Sequence, residues 1–305
     1  MAEKVDVLIV GAGFAGLSAA IYSARFNLKT LIVGDVWGGL ITTTHIVENY
    51  PGYKSLSGLE LMEKFKEHVG HYNIPYEPDF VETVKKKGEG KFIAKTMEGK
   101  EIEAKAVIIA TGTKRKKLNV PGEEEYENKG VSYCATCDGF LFKGKEVVVV
   151  GGSDSAAKEA LLLSEFAKNV TIFARTTLHP EPINGTRVKQ TKNIRVIEHT
   201  QVKEIKGDGK KVISVKLDNG KEMKADGVFI EVGHSAMTEL AEQLGVKLND
   251  KKEILIDRNA RTNVQGVFGA GDCTDTDWKQ GIVSAAEGAH AANSAYNYLL
   301  EKNLI

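Results

Sequence analysis

Twice in this chain a short β-branched run ends in a glycine-rich turn that opens an alanine-rich segment. Each time a second β-branched run follows. The first copy is a strand over Val5 to Val10, the turn Gly11-Ala12-Gly13-Phe14-Ala15-Gly16, a helix over Leu17 to Arg25 and a strand over Thr30 to Val33. The second is Glu146 to Val150, the turn Gly151-Gly152-Ser153-Asp154-Ser155-Ala156, a helix over Ala157 to Ala167 and a strand over Val170 to Phe173. Near-continuous apolar strands without alternation belong to parallel sheets buried on both faces. Strand, helix and strand joined by short turns make a βαβ unit. The chain is therefore expected to be α/β, with two Rossmann-like nucleotide-binding domains in three ββα layers.

A length of 305 residues accommodates two such domains with cores that need no covalent staples. Lys+Arg and Asp+Glu number 41 each, so neither nucleic acid nor a membrane surface is expected as the main partner. The first residues run straight into a strand, with no recognisable signal peptide, and no apolar stretch approaches the ~20 residues that span a bilayer. A cytoplasmic location is the expectation.

Further strand patterns lie between and after the two modules. Residues 80 to 105 alternate around Lys/Gly/Glu turns such as Lys85 to Lys91, and Val107-Ile108-Ile109-Ala110-Thr111-Gly112 reads as a buried strand ending at a glycine. Val212 to Leu217 and Glu222 to Ala225 read as a hairpin through Asp218-Asn219-Gly220. Gly266 to Asp272 reads as a strand running into a helix start, and Ser284 to Leu300 as a final helix.

The first turn carries a specific physical logic. Gly11 permits the tight turn, Gly13 lets backbone approach a pyrophosphate and Gly16 lets helix and strand pack closely. The helix N-terminus then offers N–H donors and a positive dipole. Asp35 is the acid nearest the end of the next strand and the candidate for the ribose, although it sits late, beyond Gly34. Asp272 suits either a flavin contact or an ordinary N-cap.

Between the modules lies Cys134-Ala135-Thr136-Cys137-Asp138. Thiols at this spacing can close a disulfide and exchange it. Only one other cysteine exists, Cys273, and it reads as a buried structural thiol. With no second C-x-x-C and seven scattered histidines, the pair is not half of a zinc site. Asp138 beside Cys137 would serve as a general acid if burial raised its pKa. His234 in Gly233-His234-Ser235 reads as a packed or capping residue.

The segments GAGFAGLSAAIYSAR, GGLITTTHIVENYPG, ATGT, CATCDG, GGSDSA, VFIEVGHS, GVFGAGDCTD and KQGIVSA resemble the low-molecular-weight thioredoxin reductases of bacteria and archaea, from residue 9 to about residue 289. The resemblance implies FAD held by Gly11, Gly13, Gly16, Asp35, Gly39, Leu40, Asn49, Thr111, Gly112, Asp272, Gln280, Gly281 and Ile282. It implies a Cys137 thiolate beside the flavin, Cys134 attacking the disulfide of a thioredoxin-like protein, and Asp138 as proton donor. It further implies a homodimer whose smaller domain rotates about hinges near Leu118 to Gly122 and near Gly245. Residues 1–117 and 246–305 would then form an FAD-binding domain, discontinuous in sequence. Residues 118–245 would form an NAD(P)H-like domain carrying the cysteines.

The second nucleotide site departs from this pattern. Gly151, Ser153, Ser155 and Arg175 are its candidates, but Ser153 replaces the middle glycine. The family's His-Arg-Arg cluster reads Ala174-Arg175-Thr176-Thr177, so only Arg175 remains, and Pro180 and Pro182 stiffen the loop that would carry a further arginine. No acid replaces the arginines, so NADH is not favoured either. One lost bidentate charged contact costs ~1.5–3 kcal/mol, roughly tenfold to hundredfold in affinity. The leading expectation is a disulfide reductase with a degenerate NADPH site that takes electrons from ferredoxin or a reduced deazaflavin. The alternatives are an NADPH enzyme of weakened specificity that keeps Arg175, an FAD-dependent dithiol oxidase, and a non-enzymatic flavoprotein sensor.

Overall fold

The computed structural model describes residues 2–305. The chain forms two compact units, one of Met1–Lys114 with Ser235–Ile305 and one of Arg115–His234. Leu118 to Gly122 thus lies in the second unit and Gly245 in the first. The residues just before Gly245 stay with the first unit because Leu240 and Ala241, together with Val246, are buried in its core.

In the first unit the parallel strands Tyr76–Glu77, Thr30–Val33, Glu3–Val10, Glu101–Ile109 and Val267–Gly269 lie side by side in that order. Val10 faces Val33 on one side and Ile109 on the other. Strand Glu101–Ile109 serves two partners. Its first half pairs antiparallel with Lys91–Thr96, which pairs in turn with Val81–Gly88. Its second half pairs parallel with Val267–Gly269. On one face Val7, Ile9 and Ile108 pack against helices Phe14–Arg25 and Gly281–Glu301. On the other, Leu8, Val10 and Val107 pack against Val84, Phe92 and Ala94 of the antiparallel layer. The two helices approach closely: a Cβ on Gly288 would lie 2.0 Å from the Ala15 carbonyl oxygen.

The second unit repeats the plan. Strands Ile194–Ile197, Asn169–Phe173, Glu146–Val150, Gly227–Ile230 and Val131–Ser132 form its parallel sheet. Val147, Val149 and Ile172 pack against Ala156, Ala160 and Leu163 of helix Asp154–Ser164. Val148, Val150 and Val228 pack against Val202, Val212 and Val215 of an antiparallel layer, which contains the hairpin expected through Asp218-Asn219-Gly220. Both units therefore have the ββα layering that the sequence pattern predicts.

Three details differ from expectation. The helices begin at Phe14 and Asp154, because each glycine turn already forms the first helical turn. Lys85 to Lys87 belong to strand Val81–Gly88, and the chain turns only at Glu89-Gly90; Lys86 lies over the Phe92 ring at 5.6 Å from its centroid, so its stem has an apolar surface to cover. Asp272 does not start a helix: residues 271–280 are irregular, with Thr274 bridged to Ile254, and the helix opens at Gly281 with Gln280 as its N-cap. Among the described residues no helix is long and apolar enough to cross a membrane.

Candidate redox-active and nucleotide sites

Strand Val131–Ser132 delivers the cysteine pair to the short helix Ala135–Asp138. Cys134 and Cys137 form a disulfide with Cα atoms 5.3 Å apart. Cys134 is the N-cap, and the Cys137 N–H donates to its Sγ at 3.1 Å. A backbone donor aimed at sulfur favours the charged form once the bond opens. Ser132 holds the turn together: its Oγ accepts the Cys134 N–H at 3.1 Å and its hydroxyl donates to Asp138 Oδ2 at 2.6 Å. The Asp138 N–H donates to the Cys134 carbonyl at 3.1 Å. Cys134 is only 8% exposed, whereas Cys137 is exposed and Asp138 half-buried.

Two further acids belong to this neighbourhood. Glu159 Oε2 accepts the Ala135 N–H at 2.6 Å. Burial, reinforced by the like charge of Glu231, pushes the Glu159 carboxyl up to about 8, with the Ala135 N–H and Arg115 opposing. Burial likewise pushes Glu231 up to about 7 against the pull of Arg115. Sequence reasoning missed both, because the cluster joins positions 115, 135, 159 and 231, which no local spacing connects.

The first glycine turn fits an anionic dinucleotide. Gly11 has φ +111°, and a Cβ there would lie 2.1 Å from the Ala110 carbonyl oxygen. A Cβ on Gly16 would lie 1.9 Å from the Gly11 carbonyl oxygen, so only glycine permits this approach of helix to strand. At Gly13 a Cβ would meet nothing nearer than the Gly38 carbonyl oxygen at 3.8 Å. Gly13 also N-caps helix Phe14–Arg25 without a side-chain hydrogen bond, leaving no side chain between its first amides and an incoming phosphate.

The other residues expected around FAD fall into several groups in the first unit. Gly39 is near Gly13: a Cβ on Gly39 would lie 3.5 Å from the Gly13 Cα. Leu40 follows in the short helix Gly39–Thr43 and is exposed. Asn49 Nδ2 donates to Gln280 Oε1 at 3.0 Å, joining two candidates far apart in sequence. Gly281 and Ile282 open the helix behind Gln280. Asp272 Oδ1 accepts the Ser284 hydroxyl at 3.0 Å. Thr111 donates to the Met237 carbonyl at 2.5 Å, and the Gly112 carbonyl accepts the Met237 N–H at 3.0 Å. Asp35 is exposed beyond strand Thr30–Val33. Glu287, missed in the sequence, accepts the Gly271 N–H at 2.7 Å and the Thr274 hydroxyl at 3.1 Å, which fixes the turn that carries Asp272. Cys273 is fully buried, and burial raises its pKa.

The second glycine turn is occupied differently. Ser153 N-caps helix Asp154–Ser164 without a side-chain hydrogen bond and forms an isolated β-bridge with His179. The His179 N–H donates to the Gly152 carbonyl at 2.8 Å. A Cβ on Gly152 would lie 3.2 Å from the Thr177 carbonyl oxygen. Asp154 Oδ1 accepts the Glu181 N–H and the Asn184 side-chain amide, both at 2.8 Å, and Oδ2 pairs with Lys158 at 2.8 Å. Burial works to raise the Asp154 pKa, but Lys158, Asn184 and the Glu181 N–H together hold it below the usual carboxylate value. The segment from Thr177 to Glu181 is thus fastened down onto the turn. Ser155 and Arg175 are exposed.

Residues 5–292 match the model of the pyridine nucleotide-disulphide oxidoreductase family. The chain is 40% identical over 307 residues to the thioredoxin reductase of Bacillus subtilis, covering 98% of this chain and 96% of that one. It is 37% identical over 306 residues to an NADH dehydrogenase of Bacillus subtilis, but spans only 59% of that protein's length. Among solved structures it resembles the Lactococcus lactis thioredoxin reductase in its FR conformation (TM-score 0.94, 38% identity, 97% and 99% coverage) and the T. acidophilum thioredoxin reductase (TM-score 0.91, 43% identity, 97% and 98% coverage). It also resembles a ferredoxin-flavin thioredoxin reductase from Clostridium acetobutylicum (TM-score 0.56, 34% identity, 99% and 100% coverage). The chain belongs to the pyridine nucleotide-disulphide oxidoreductases, within the low-molecular-weight thioredoxin reductase family, and is a flavin-dependent disulfide oxidoreductase.

Proposed function

We propose that this flavoenzyme reduces the disulfide of a thioredoxin-like protein through Cys134 and Cys137, and that its electrons come from ferredoxin or a reduced deazaflavin rather than from NADPH. The observation that carries the first part is the Cys134–Cys137 disulfide, with Ser132 and Asp138 bonded around it. The first unit is assigned as the FAD-binding domain, with Gly11, Gly13, Gly16, Asp35, Gly39, Leu40, Asn49, Thr111, Gly112, Asp272, Gln280, Gly281 and Ile282 as its cofactor residues. FAD bound there, once reduced by the donor, would supply the two electrons that open the disulfide.

Cys137 is the sulfur assigned to the flavin side and Cys134 the nucleophile toward the partner protein. The Cys137 N–H that touches Cys134 Sγ stabilises a thiolate there. Asp138, adjacent to Cys137 and held by the Ser132 hydroxyl, is the proton donor to the departing thiolate. Since Cys134 is 8% exposed, attack on a protein disulfide requires that it first be uncovered. Family likeness supports a homodimer working in the cytoplasm.

The second turn supports the donor assignment. Ser153 stands where backbone should approach a pyrophosphate, and the segment that should supply arginines keeps only Arg175 and is stiffened by Pro180 and Pro182. The likeness to the Clostridium ferredoxin-flavin enzyme supports the same reading. The test is an anaerobic spectral titration of the FAD-loaded protein with NADPH, reduced ferredoxin and reduced deazaflavin in parallel. Bleaching of the flavin band by ferredoxin or deazaflavin alone is expected; rapid bleaching at micromolar NADPH would return the assignment to an NADPH enzyme using Arg175. Cys137→Ser is expected to keep the bleaching and abolish thioredoxin reduction.

A further inference from the structure

Beside the cysteine turn lies a charged cluster to which the disulfide chemistry assigns no role. Glu159, in helix Asp154–Ser164, holds the Ala135 N–H at 2.6 Å. Ala135 lies inside the ring closed by the Cys134–Cys137 disulfide. Glu231 follows strand Gly227–Ile230, is 6% exposed and acts on Glu159 as a like charge. Arg115 acts on both as the opposing charge. Of the charged side chains on this helix and the elements packed against it, only Glu231 and Arg115 act on Glu159; Lys158 binds Asp154 at 2.8 Å, Arg187 reaches Asn184 at 3.5 Å, Glu146 pairs with Lys168 at 3.4 Å and Asp138 is held by Ser132, while Glu165, Lys189 and Arg195 complete the set. Two carboxyls and one guanidinium are balanced when the acid pair keeps one proton. Desolvated acids that repel each other titrate as a pair, not singly.

We propose that Glu159 is a positioning residue for the redox dithiol: it fixes the turn between the two sulfurs through the Ala135 amide, and together with Glu231 it takes up one proton when the disulfide is reduced. Reduction breaks the S–S bond with two electrons from the reduced flavin. The proton released by the reduced flavin goes to the Cys137 sulfur, a second proton is taken from solvent by the acid pair, and a thiolate remains at Cys134. That thiolate faces the Cys137 N–H, on the same short turn whose Ala135 N–H faces Glu159. Two negative charges then compete for neighbouring amides, and the pair relieves the conflict by binding a proton. In the disulfide form the pair already titrates near neutrality, at about 8 for Glu159 and about 7 for Glu231, so the proton lies within working range.

The inference rests on Cys134–Cys137 being the working disulfide, and one experiment separates the two ideas. FAD-loaded wild type, Glu159→Gln and Glu231→Gln are equilibrated anaerobically with dithiothreitol buffers from below pH 7 to above pH 8, and free thiols are trapped by alkylation and counted by mass. Above pH 8 the wild-type dithiol is expected to become harder to reduce than that of Glu159→Gln by tenfold in the equilibrium constant per pH unit, about 30 mV per unit for a two-electron couple. The glutamine oxygen still accepts the Ala135 N–H, so a purely structural role would leave the two slopes parallel. In Glu231→Gln the steep region is expected at lower pH, because Glu159 has lost its like-charged neighbour. Parallel lines for wild type and Glu159→Gln, or an unmoved steep region in Glu231→Gln, would overturn the proposal while leaving the disulfide assignment intact. A wild-type pair that no dithiothreitol ratio opens would overturn both.

Discussion

At the first glycine turn the middle position is Gly13, and a Cβ there would meet nothing closer than 3.8 Å. At the second it is Ser153, bridged to His179, with the Thr177 carbonyl 3.2 Å from where a Gly152 Cβ would stand. The strand before each turn, the helix after it and the antiparallel layer behind the sheet are otherwise alike. The βαβ backbone is thus the same whether glycine or serine stands at the middle position of the turn. The fold is fixed by buried strands and by glycines that face the interior, so the side chains laid on the turn can differ without disturbing it. The lower surfaces differ as well: a Cβ on Gly151 would lie 2.3 Å from the Glu231 carbonyl oxygen, so the second turn rests on a residue with a buried carboxyl.

The most damaging way to break the comparison is at the shared packing. Gly16→Ala would place a methyl 1.9 Å from the Gly11 carbonyl oxygen, a backbone atom that cannot rotate away. A loss of ~3 kcal/mol or more is expected, with colourless or flavin-poor protein. Calorimetry and the flavin-to-protein absorbance ratio measure both; a yellow variant with the wild-type melting temperature would show that the helix approach is not tight.

A smaller effect should restore the second turn. Ser153→Gly with Thr176→Arg and Pro180→Arg returns the middle glycine and two phosphate-pairing cations. Each recovered charged contact is expected to tighten NADPH by roughly tenfold to hundredfold. Stopped-flow bleaching of the flavin by NADPH reads the gain. If the triple variant responds no better than wild type, the fastened Thr177-to-Glu181 segment blocks the site independently of those side chains.

Smaller still is the effect of the buried acid. The folded-state pKa of Glu231 is raised above its unfolded value of 4.5 to about 7. The folded protein therefore binds more protons over that interval, and stability present below pH 4.5 is lost as pH rises through about 7. Glu231→Gln should flatten this decline, by on the order of 2 kcal/mol on the alkaline side. Melting temperatures of the two proteins across that interval provide the check, and parallel curves would refute the assignment.

These contrasts explain which parts of the molecule can be read from sequence. Glu3–Val10 and Glu146–Val150 stand out because a strand buried on both faces has no polar positions to blur it. The cysteine turn and the first glycine turn are local in sequence and equally plain. Asp272 misleads: strand, glycine and acid imitate a helix start, but Glu287 from the following helix claims the Gly271 amide and delays the helix to Gly281. Lys85 to Lys87 imitate a turn although Lys85 and Lys86 still pair with Ile93 and Phe92 across the hairpin. The Glu159–Glu231–Arg115 cluster has no local signature, since it exists only after the strand order of the second sheet is set.

The double pairing of strand Glu101–Ile109 carries a consequence for biosynthesis. Half of that strand finds its partner within a few residues, but the other half must wait for Val267–Gly269. Residues 115–234 leave the ribosome in between as an uninterrupted segment with a complete sheet of their own. Compact domains fold as units while translation proceeds. The inserted unit is therefore able to mature first, while the sheet into which it is inserted stays unfinished until Val267–Gly269 has been made.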